Sequence, residues 1–467
     1  MSDCRAELEN LLGRDRVGSI ASPWLGAREP IPLARPASES EIAELVRFAS
    51  RTSRKCLPVG FGSKLGWSGV PERLDFALST RELTGIVAYE PADGTLTARA
   101  GTTIAELAEV VRRGGDHLTP DVARPGRATL GGTLAAGHGG IDRMRYGPSR
   151  HHGLGMRAVL GDGTIAKSGG RLVKNVTGFD MHRLYCGSHG TLAVIVECSL
   201  RLFPGPESTA LVRSSFRTFL DALRAARTIV ESRVEPYALV IEHDSVQANE
   251  WVVHAALAGR REPIEWELDV AQRILGTEAV VRDGDARAEI DALRDRTPPI
   301  DDRTALRIEA LPSKLADAIE LVIGEARVDG LDIDLFVQPA IAYIDVALRG
   351  DAPVRADASP HAGASPHAGA SPCGDPPLRS EAALGSETAL RNRTATQSVR
   401  IAALVRRLRA AEVAVRVRNA PLDPSGRRAH AIDPVGELGP GADWMRRLKR
   451  ALDPNGVLPS RGFQVGA

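Results

Sequence analysis

Residues 169–203, GGRLVKNVTGFDMHRLYCGSHGTLAVIVECSLRLF, decide the fold prediction for this chain. A glycine-rich turn and a short polar helix come first, and residues 187–192 then open a long apolar strand. Two further glycine clusters lie upstream, GFGSK at 60–64 and TLGGTLAAGHGG at 129–140. Three separated clusters of this kind can surround one large anionic ligand, because glycine lets the backbone approach closely and present its N–H groups.

The first glycine cluster follows an apolar run and carries two polar side chains. Ser63 could add a hydroxyl donor and Lys64 a positive charge, and both suit a phosphate. The alternative is a tight turn between a strand and an irregular segment. The spacing differs from a Rossmann fingerprint, and residues 67–71, WSGVP, stand where a helix should begin.

The second and third clusters predict complementary surfaces. Residues 129–140 form a flat run of small residues against which a planar ring or a sugar could lie, with N–H groups free to donate. Close backbone packing is the alternative. Residues 190–195 begin a buried strand whose first backbone groups would still be unpaired.

Composition limits the possible classes of protein. The 467 residues indicate two to three domains, and 43% hydrophobic residues are ample for buried cores. Sixty Lys and Arg against 59 Asp and Glu give no charge excess of the kind that binds nucleic acid or acidic lipid. We therefore expect any ligand to be held locally.

The cysteines and the N-terminus indicate a cytoplasmic protein. The five cysteines, at 4, 56, 186, 198 and 373, form no C-x-x-C pair, which argues against a zinc site, an iron–sulfur cluster or a disulfide framework. The charged N-terminus and the lack of an apolar run of about 18 residues predict neither a signal peptide nor a transmembrane segment. Attachment to a membrane would have to come through partners.

The first half of the chain mixes helices and strands. A capping box at 38–41 predicts a helix over 39–51, and a second predicts a helix that starts at 103 and runs through 111. Strands are expected at 73–79 and 95–100, and a hairpin over 153–165, followed by a strand at 190–203. This order does not alternate as a doubly wound sheet would.

The second half changes character after the Pro-Gly-Pro step at 204–206. Striped helices and apolar strands over 210–350 predict an α+β domain. Residues 351–398, with ASPHAG repeated in tandem, cannot bury enough apolar surface to become ordered, so we expect a disordered insertion. A helix and a strand after 399 then continue the second domain.

Taken in order, these segments resemble the PCMH-type FAD-binding domain of the vanillyl-alcohol oxidase superfamily, over about 30–206. The matching segments are PASESEIAELVRFA, LPVGFGSK, TLTARAGTTIAELAEVV, LTPD, TLGGTLAAGHGG, RYG, KNVTGFD and GSHGTLAVIVE. The end, RRLKRALDPNGVLPSRGF, is similar to the closing segment of the 2-hydroxy-acid dehydrogenase branch. GGRLVKNVTGFD is particularly similar to the FAD-binding subunit of glycolate oxidase.

The resemblance implies an α+β fold: a two-subdomain PCMH-type domain with an α+β, ferredoxin-like cap domain that carries the insertion. The expected organisation is an N-terminal helical segment (1–29), the FAD-binding domain (30–206), the cap domain (207–350 and 399–440), the insertion (351–398), and a C-terminal segment that returns to the FAD-binding domain (441–467).

The resemblance also implies FAD, held non-covalently, because residues 60–65 contain neither His nor Cys; His138 is the residue that could contradict this. The pyrophosphate would lie on residues 60–64 and 129–133, and adenine or ribose against 190–195. The predicted FAD-binding residues are Gly60, Phe61, Gly62, Ser63, Lys64, Thr129, Gly131, Gly132, Thr133, Gly137, Gly190, Thr191 and Ile195. No metal site is expected.

The implied activity is oxidation of a small 2-hydroxy acid such as glycolate or D-lactate, with electrons passed to iron–sulfur and paralogous flavoprotein subunits. Two departures are small: Ala193 stands where the family has glycine, and residues 459–462 read PSRG. A larger one is the lack of a His-x-Gly-Asp-Gly-Asn segment, which supplies metal and hydroxy-acid ligands in catalytic relatives. A non-catalytic FAD-binding assembly or electron-transfer subunit therefore stays an alternative, and the sequence names no general base or carboxylate clamp.

Overall fold

The computed structural model describes residues 2–459 apart from 23–24, 26–28, 68, 70, 72, 138, 172–177, 245–249, 278, 298–304, 329, 350–399, 412 and 419–441. The predicted insertion at 351–398, His138, most of the KNVTGFD segment and residues 460–467 lie outside the described residues.

The helices of the described chain are α1 (Ser2–Leu12), α2 (Glu39–Arg51), α3 (Ile104–Arg113), α4 (Leu130–Ala136), α5 (Arg143–Tyr146), α6 (Met181–Tyr185), α7 (Phe219–Glu231), α8 (Arg261–Leu275), α9 (Asp283–Asp295), α10 (Leu315–Val328), α11 (400–410) and α12 (Ala442–Leu452). None of these helices is long and apolar enough to cross a membrane.

The strands are β1 (Val17–Ile20), β2 (Ile31–Ala34), β3 (Cys56–Val59), β4 (Phe76–Ser79), β5 (Ile86–Glu90), β6 (Thr95–Arg99), β7 (Asp116–His117), β8 (Gly153–Leu160), β9 (Ile165–Gly169), β10 (Ala193–Arg201), β11 (Phe203–Pro204), β12 (Ser208–Phe216), β13 (Ala238–Asp244), β14 (Trp251–Gly259), β15 (Val280–Arg282), β16 (Ala305–Glu309), β17 (Asp332–Gln338), β18 (Tyr343–Arg349) and β19 (Ala414–Arg418).

A four-stranded sheet holds the first glycine cluster. Its order is β1-β2-β4-β3, and β2, β4 and β3 run parallel. Helix α2 begins where the Ser38 hydroxyl accepts a hydrogen bond from the Glu41 N–H, and its apolar stripe packs into the core shared with β3 and β4. Because β3 ends at Val59, the cluster starts at the carboxyl end of a buried parallel strand.

A five-stranded antiparallel sheet holds the other two clusters. Its order is β5-β6-β10-β8-β9, with the apolar strand β10 at the centre. Helices α3 and α4 pack on it around a core that includes Leu107, Leu134 and Ile195. The buried hydroxyls of Thr97 and Ser199 are 2.8 Å apart and satisfy each other across β6 and β10.

Strands β7 and β11 pair with each other, and strands β12–β19 form one eight-stranded antiparallel sheet, called here the large sheet, in the order β15-β12-β14-β13-β17-β18-β16-β19. One face packs on α7, α8, α10 and α11 around the largest core. The other face is covered by α9 and meets Ile141, just before α5. The loop that contains α5 therefore lies against the large sheet.

The C-terminal part contacts the two smaller sheets. The Lys449 ammonium donates to the backbone oxygens of Thr191 (2.6 Å) and Leu458 (2.7 Å) and to the Asp453 carboxylate. Asp453 in turn accepts hydrogen bonds from the N–H groups of Val457 and Leu458. The N–H of Cys56 at the start of β3 donates to Val457. These contacts join the chain end to the strands that carry the glycine clusters.

The α+β prediction is confirmed, as are the helix over 39–51, the capping box of α3 and the hairpin with its turn between β8 and β9. One local prediction is wrong: the second cluster is not a flat run, because residues Leu130–Ala136 form helix α4. Thr129 supplies the N-cap there, and the helix packs its apolar residues against β10, which overrides the low helix propensity of Gly131 and Gly132.

Candidate functional site

All three glycine clusters border one cavity. Its empty volume is about 680 Å³, including the part open to solvent. The predicted residues that line it are Gly60, Phe61, Gly62, Ser63, Lys64, Thr129, Gly131, Gly132, Gly190 and Ile195. Segments as far apart in the sequence as residues 60–64 and 190–195 thus converge on one site.

The loop over residues 60–64 offers unused hydrogen-bond donors. No acceptor among the described residues receives the N–H groups of this segment, and the first internal bond of the turn is from Leu65 to the Gly62 oxygen, at 3.1 Å. A Cβ on Gly60 would lie 2.3 Å from the Thr129 Oγ1, so only glycine allows this loop to pack against the start of α4. Successive free N–H groups of this kind form an anion-binding nest.

Lys64 supplies the positive charge of the cavity. It lines the wall, is half-buried, and its ammonium forms no ion pair or hydrogen bond with any described residue. Burial lowers the pKa of Lys64 to about 8, because the ammonium has lost water without gaining a carboxylate. An anionic ligand would restore the missing partner.

The N–H groups of the second cluster are not free, so that expectation was wrong. Leu130 donates to Thr102 (2.9 Å) and Gly131 to Ala100 (2.8 Å). The Gly132 N–H donates to the Thr129 side chain at 3.2 Å. Helix formation leaves the first N–H groups without intrahelical partners, and here neighbouring backbone and the N-cap take them. The cluster therefore contributes a surface of small side chains rather than donors.

Close packing also explains the glycines of α4. A Cβ on Gly131 would lie 2.8 Å from the Cβ of Ala100 at the end of β6. Helix and sheet backbones thus approach more closely than larger residues would allow. On the cavity side of α4, Gly132, Ala135 and Ala136 have small side chains or none, which leaves space for a ligand.

Three of the predicted residues do not line the cavity. Thr191 holds the turn before β10, since its hydroxyl donates to the Ser188 oxygen at 2.7 Å and its own carbonyl accepts from Lys449. Thr133 is fully buried, and its hydroxyl has no partner among the described residues. Gly137 ends α4 with a left-handed φ of 62°.

Sequence reasoning missed several residues of the cavity wall. They are Pro58, Val59, Leu65, Thr80 and His189; Ala135, Ala136 and Ala193 also line the wall but fall within the predicted ranges 129–140 and 190–195. Pro58, Val59 and Leu65 flank the first cluster, so extending that cluster by two residues would have found them. Thr80 follows β4, the neighbour of β3, and only the sheet pairing brings it to the site.

The described residues contain no group of three or more His, Cys, Asp or Glu side chains that could hold a metal ion. The cysteines at 4, 56, 186 and 198 are free thiols, and burial raises the pKa of Cys56 to about 12. That thiol is accordingly neutral and acts as a small apolar side chain.

Residues 30–169 match the family described as FAD binding domain. The chain is 31% identical over 228 residues to the D-lactate dehydrogenase of Archaeoglobus fulgidus, covering 48% of this chain and 51% of that protein. It is 32% identical over 201 residues to a D-2-hydroxyglutarate dehydrogenase of Xanthomonas citri (42% and 43%). It is 26% identical over 210 residues to glycolate oxidase subunit GlcD of Bacillus subtilis (45% of each). The chain spans about half the length of the curated relatives it matches.

Among solved structures, alkyldihydroxyacetonephosphate synthase superposes with a TM-score of 0.60 over 92% of this chain and 77% of that chain, at 15% sequence identity. This likeness concerns the fold, and it extends through the large sheet because so much of the chain is covered.

The cavity residues fit an FAD. A diphosphate needs donors and positive charge, which the free N–H groups of 60–64 and the unpaired Lys64 supply. The small residues Gly131, Gly132 and Ala135 leave space in the cavity for planar rings. The cavity and the match of residues 30–169 to the FAD binding domain family together support FAD as the cofactor.

Proposed function

We propose that the chain is an FAD-dependent oxidoreductase, or the FAD-binding subunit of one, that oxidises a small 2-hydroxy acid such as glycolate or D-lactate. The observation that carries the proposal is the cavity in which free N–H groups and Lys64 face small residues of α4, within a matched FAD binding domain. The names of three relatives, which act on D-lactate, D-2-hydroxyglutarate and glycolate, support this substrate class.

In this proposal the cavity residues bind and orient the cofactor. Residues 60–64, above all Lys64, hold the pyrophosphate. Gly190 and Ile195 contact the adenine or ribose. Thr133, Gly137 and Thr191 do not contact the cofactor in this proposal. They support the site through the conformation of α4 and of the turn before β10. FAD is held without a covalent bond.

When bound, FAD supplies a hydride acceptor for the carbon that carries the hydroxyl. The protein must keep that carbon near the flavin, take the hydroxyl proton and pass electrons onward. We propose an iron–sulfur protein or a paralogous flavoprotein as the electron acceptor, because the four described cysteines are dispersed over α1, β3, the end of α6 and β10, and three of them are buried.

A second candidate function is a non-catalytic FAD-binding subunit for assembly or electron transfer. The observation in its favour is the sequence itself, which lacks the His-x-Gly-Asp-Gly-Asn segment of catalytic relatives. In this case a paralogous chain would oxidise the hydroxy acid.

Anaerobic reduction separates the two candidates. The purified chain is loaded with FAD and mixed with glycolate or D-lactate while flavin absorbance is recorded. Bleaching by the chain alone supports independent oxidation and contradicts the assembly role. Bleaching only after partner subunits are added contradicts independent oxidation, and failure to bind FAD at all contradicts both.

A further inference from the structure

A second polar site lies where α5 meets the large sheet. The Arg143 guanidinium of α5 stacks over the Tyr343 ring of β18, with 4.6 Å between its Cζ and the ring centroid. Arg307 of β16 lies 5.0 Å from the same centroid. Two guanidinium groups from different parts of the chain therefore share one aromatic ring.

The two arginines differ in how their charge is balanced. Arg307 is buried and donates two hydrogen bonds to the buried Asp345 carboxylate, at 2.7 and 2.5 Å. This bidentate pair is complete in itself. Arg307 and Asp345 are opposite each other in the β16–β18 ladder, so the pair also fixes the position of Tyr343.

Arg143 has no such partner. Its guanidinium is half-buried, and among the described residues it donates no hydrogen bond. The Glu309 carboxylate, opposite Tyr343 in the β16–β18 ladder, favours the charged form of Arg143, but Arg143 forms no ion pair with it or with any other described carboxylate. Burial lowers the pKa of Arg143, although a guanidinium stays protonated at any ordinary pH. A planar, charged fork with unused donors at a domain junction is suited to a carboxylate.

Gln338 offers the complementary group. It is 3% exposed, and its Oε1 is buried without a hydrogen-bond partner among the described residues. Gln338 is directly opposite Tyr343 in the β17–β18 ladder, and side chains so placed lie on the same face of a sheet with Cβ atoms about 5 Å apart. A buried acceptor of this kind lacks a donor such as a hydroxyl.

We propose that Arg143, Tyr343 and Gln338 form a binding site for a small carboxylate with a neighbouring hydroxyl. The carboxylate accepts hydrogen bonds from Arg143, and the hydroxyl donates to the Gln338 Oε1 beside the Tyr343 ring. The site rests on the proposed function in that its ligand is the 2-hydroxy acid. Its positive charge comes from the FAD binding domain and its hydroxyl acceptor from the large sheet, so a bound ligand would bridge the two.

Three small probes test each contact separately. Glycolate has both groups, glycolamide lacks the charge, and methoxyacetate lacks the hydroxyl proton. Binding is measured by calorimetry on the FAD-loaded protein after its flavin has been reduced with dithionite, so that glycolate is not consumed. We expect wild-type protein to prefer glycolate to either analogue by at least about tenfold.

Two variants should separate the contribution of the carboxylate contact from that of the hydroxyl contact. R143Q should weaken glycolate binding about 10- to 100-fold and abolish the preference over glycolamide. Q338L should abolish the preference over methoxyacetate while keeping that over glycolamide, and it should fold well because it removes an unsatisfied buried oxygen. The control R127Q changes an exposed guanidinium and should bind all three probes as wild type does.

An R143Q protein that binds glycolate with wild-type affinity would overturn the inference, as would a wild-type protein that binds none of the probes. An FAD titration of every variant accompanies these measurements. Normal FAD binding with unselective probe binding contradicts only this site, whereas loss of FAD binding in the wild type contradicts the proposed function instead.

Discussion

Two lysines in this protein have lost water around their ammonium groups, but they differ in whether the protein supplies other partners. Lys449 of α12 is 9% exposed, and its ammonium reaches the Asp453 carboxylate and two backbone oxygens. Lys64, on the wall of the cavity, contacts no described acceptor. One charge is satisfied by the fold, and the other is left for something the fold does not contain.

The difference separates a structural group from a ligand-binding group. A charge that is paired and hydrogen-bonded contributes to the native state, and breaking its pair is costly. A charge that is desolvated and unpaired costs stability until an anion binds, so selection for folding alone would not retain it. The loop at 60–64 and the chain end at 442–459 are therefore expected to respond to mutation in different assays.

The largest effect is expected from D453A. This change leaves the Lys449 ammonium without its carboxylate and removes the acceptor of the Val457 and Leu458 N–H groups. We expect the free energy of unfolding to fall by about 3–5 kcal/mol, measured by urea denaturation. The control D443A alters an exposed pair on the same helix and should change it by less than about 0.5 kcal/mol. Equal effects of the two variants would contradict a structural role for the Lys449–Asp453 pair.

The second effect is on cofactor affinity. K64M should weaken FAD binding about 10- to 100-fold, because a charge-assisted hydrogen bond to the pyrophosphate is lost, while the apoprotein stays at least as stable. Fluorescence titration gives the affinity and urea denaturation the stability. K167M, at an exposed position of β9, is the matched control. Unchanged FAD affinity in K64M would place the pyrophosphate elsewhere.

The third effect depends on pH. Burial lowers the pKa of Lys64 to about 8, from about 10.5 for a lysine in water, so as the pH rises the folded apoprotein releases this proton at a lower pH than the unfolded chain. Lys64 therefore destabilises the apoprotein below about pH 8, and this loss disappears as the pH rises from about 8 to 10.5. An anion favours the protonated form, so FAD affinity should fall about tenfold between pH 7 and 9. ADP titrated in parallel should show the same slope, and K64M should show none.

The smallest effect concerns a charge that is only partly paired. Asp121 contacts Arg294 of α9 at 3.2 Å, but its Oδ2 is buried without a hydrogen bond. Burial and the nearby Asp142 raise the pKa of Asp121 to about 7. Since the folded state keeps the proton longer, Asp121 makes stability fall as the pH rises from about 4 to 7.

D121N should reduce the difference in the free energy of unfolding between pH 4.5 and 7.5 by on the order of 1 kcal/mol. The effect is small because the Arg294 charge already offsets part of the carboxylate charge. Thermal unfolding at pH 4.5 and 7.5 measures it. A variant that keeps the wild-type slope would assign the pH dependence to other groups. The result would show whether a half-satisfied charge behaves more like Lys64 or like Lys449.

Much of the site could be predicted from sequence because its glycines are fixed by local geometry. Gly62 has a left-handed φ of 75°, a local requirement that favours glycine, whereas the close approach of Gly60 to Thr129 is a tertiary contact. The state of the N–H groups was not visible. Those of 60–64 stay free and those of 130–132 are taken, since the second set depends on Ala100 and Thr102, which arrive from another part of the chain.

By itself, the sequence determined the α+β class, the capped helices, the cluster of glycine loops and the FAD resemblance, because propensities, caps and turn residues act over a few neighbouring positions. Only the tertiary structure decided that Lys64 in the cavity and Arg143 over Tyr343 have no hydrogen-bond or ion-pair partner among the described residues. Whether a buried charge is paired depends on residues that are distant in sequence and close in space, and no local pattern records that distance.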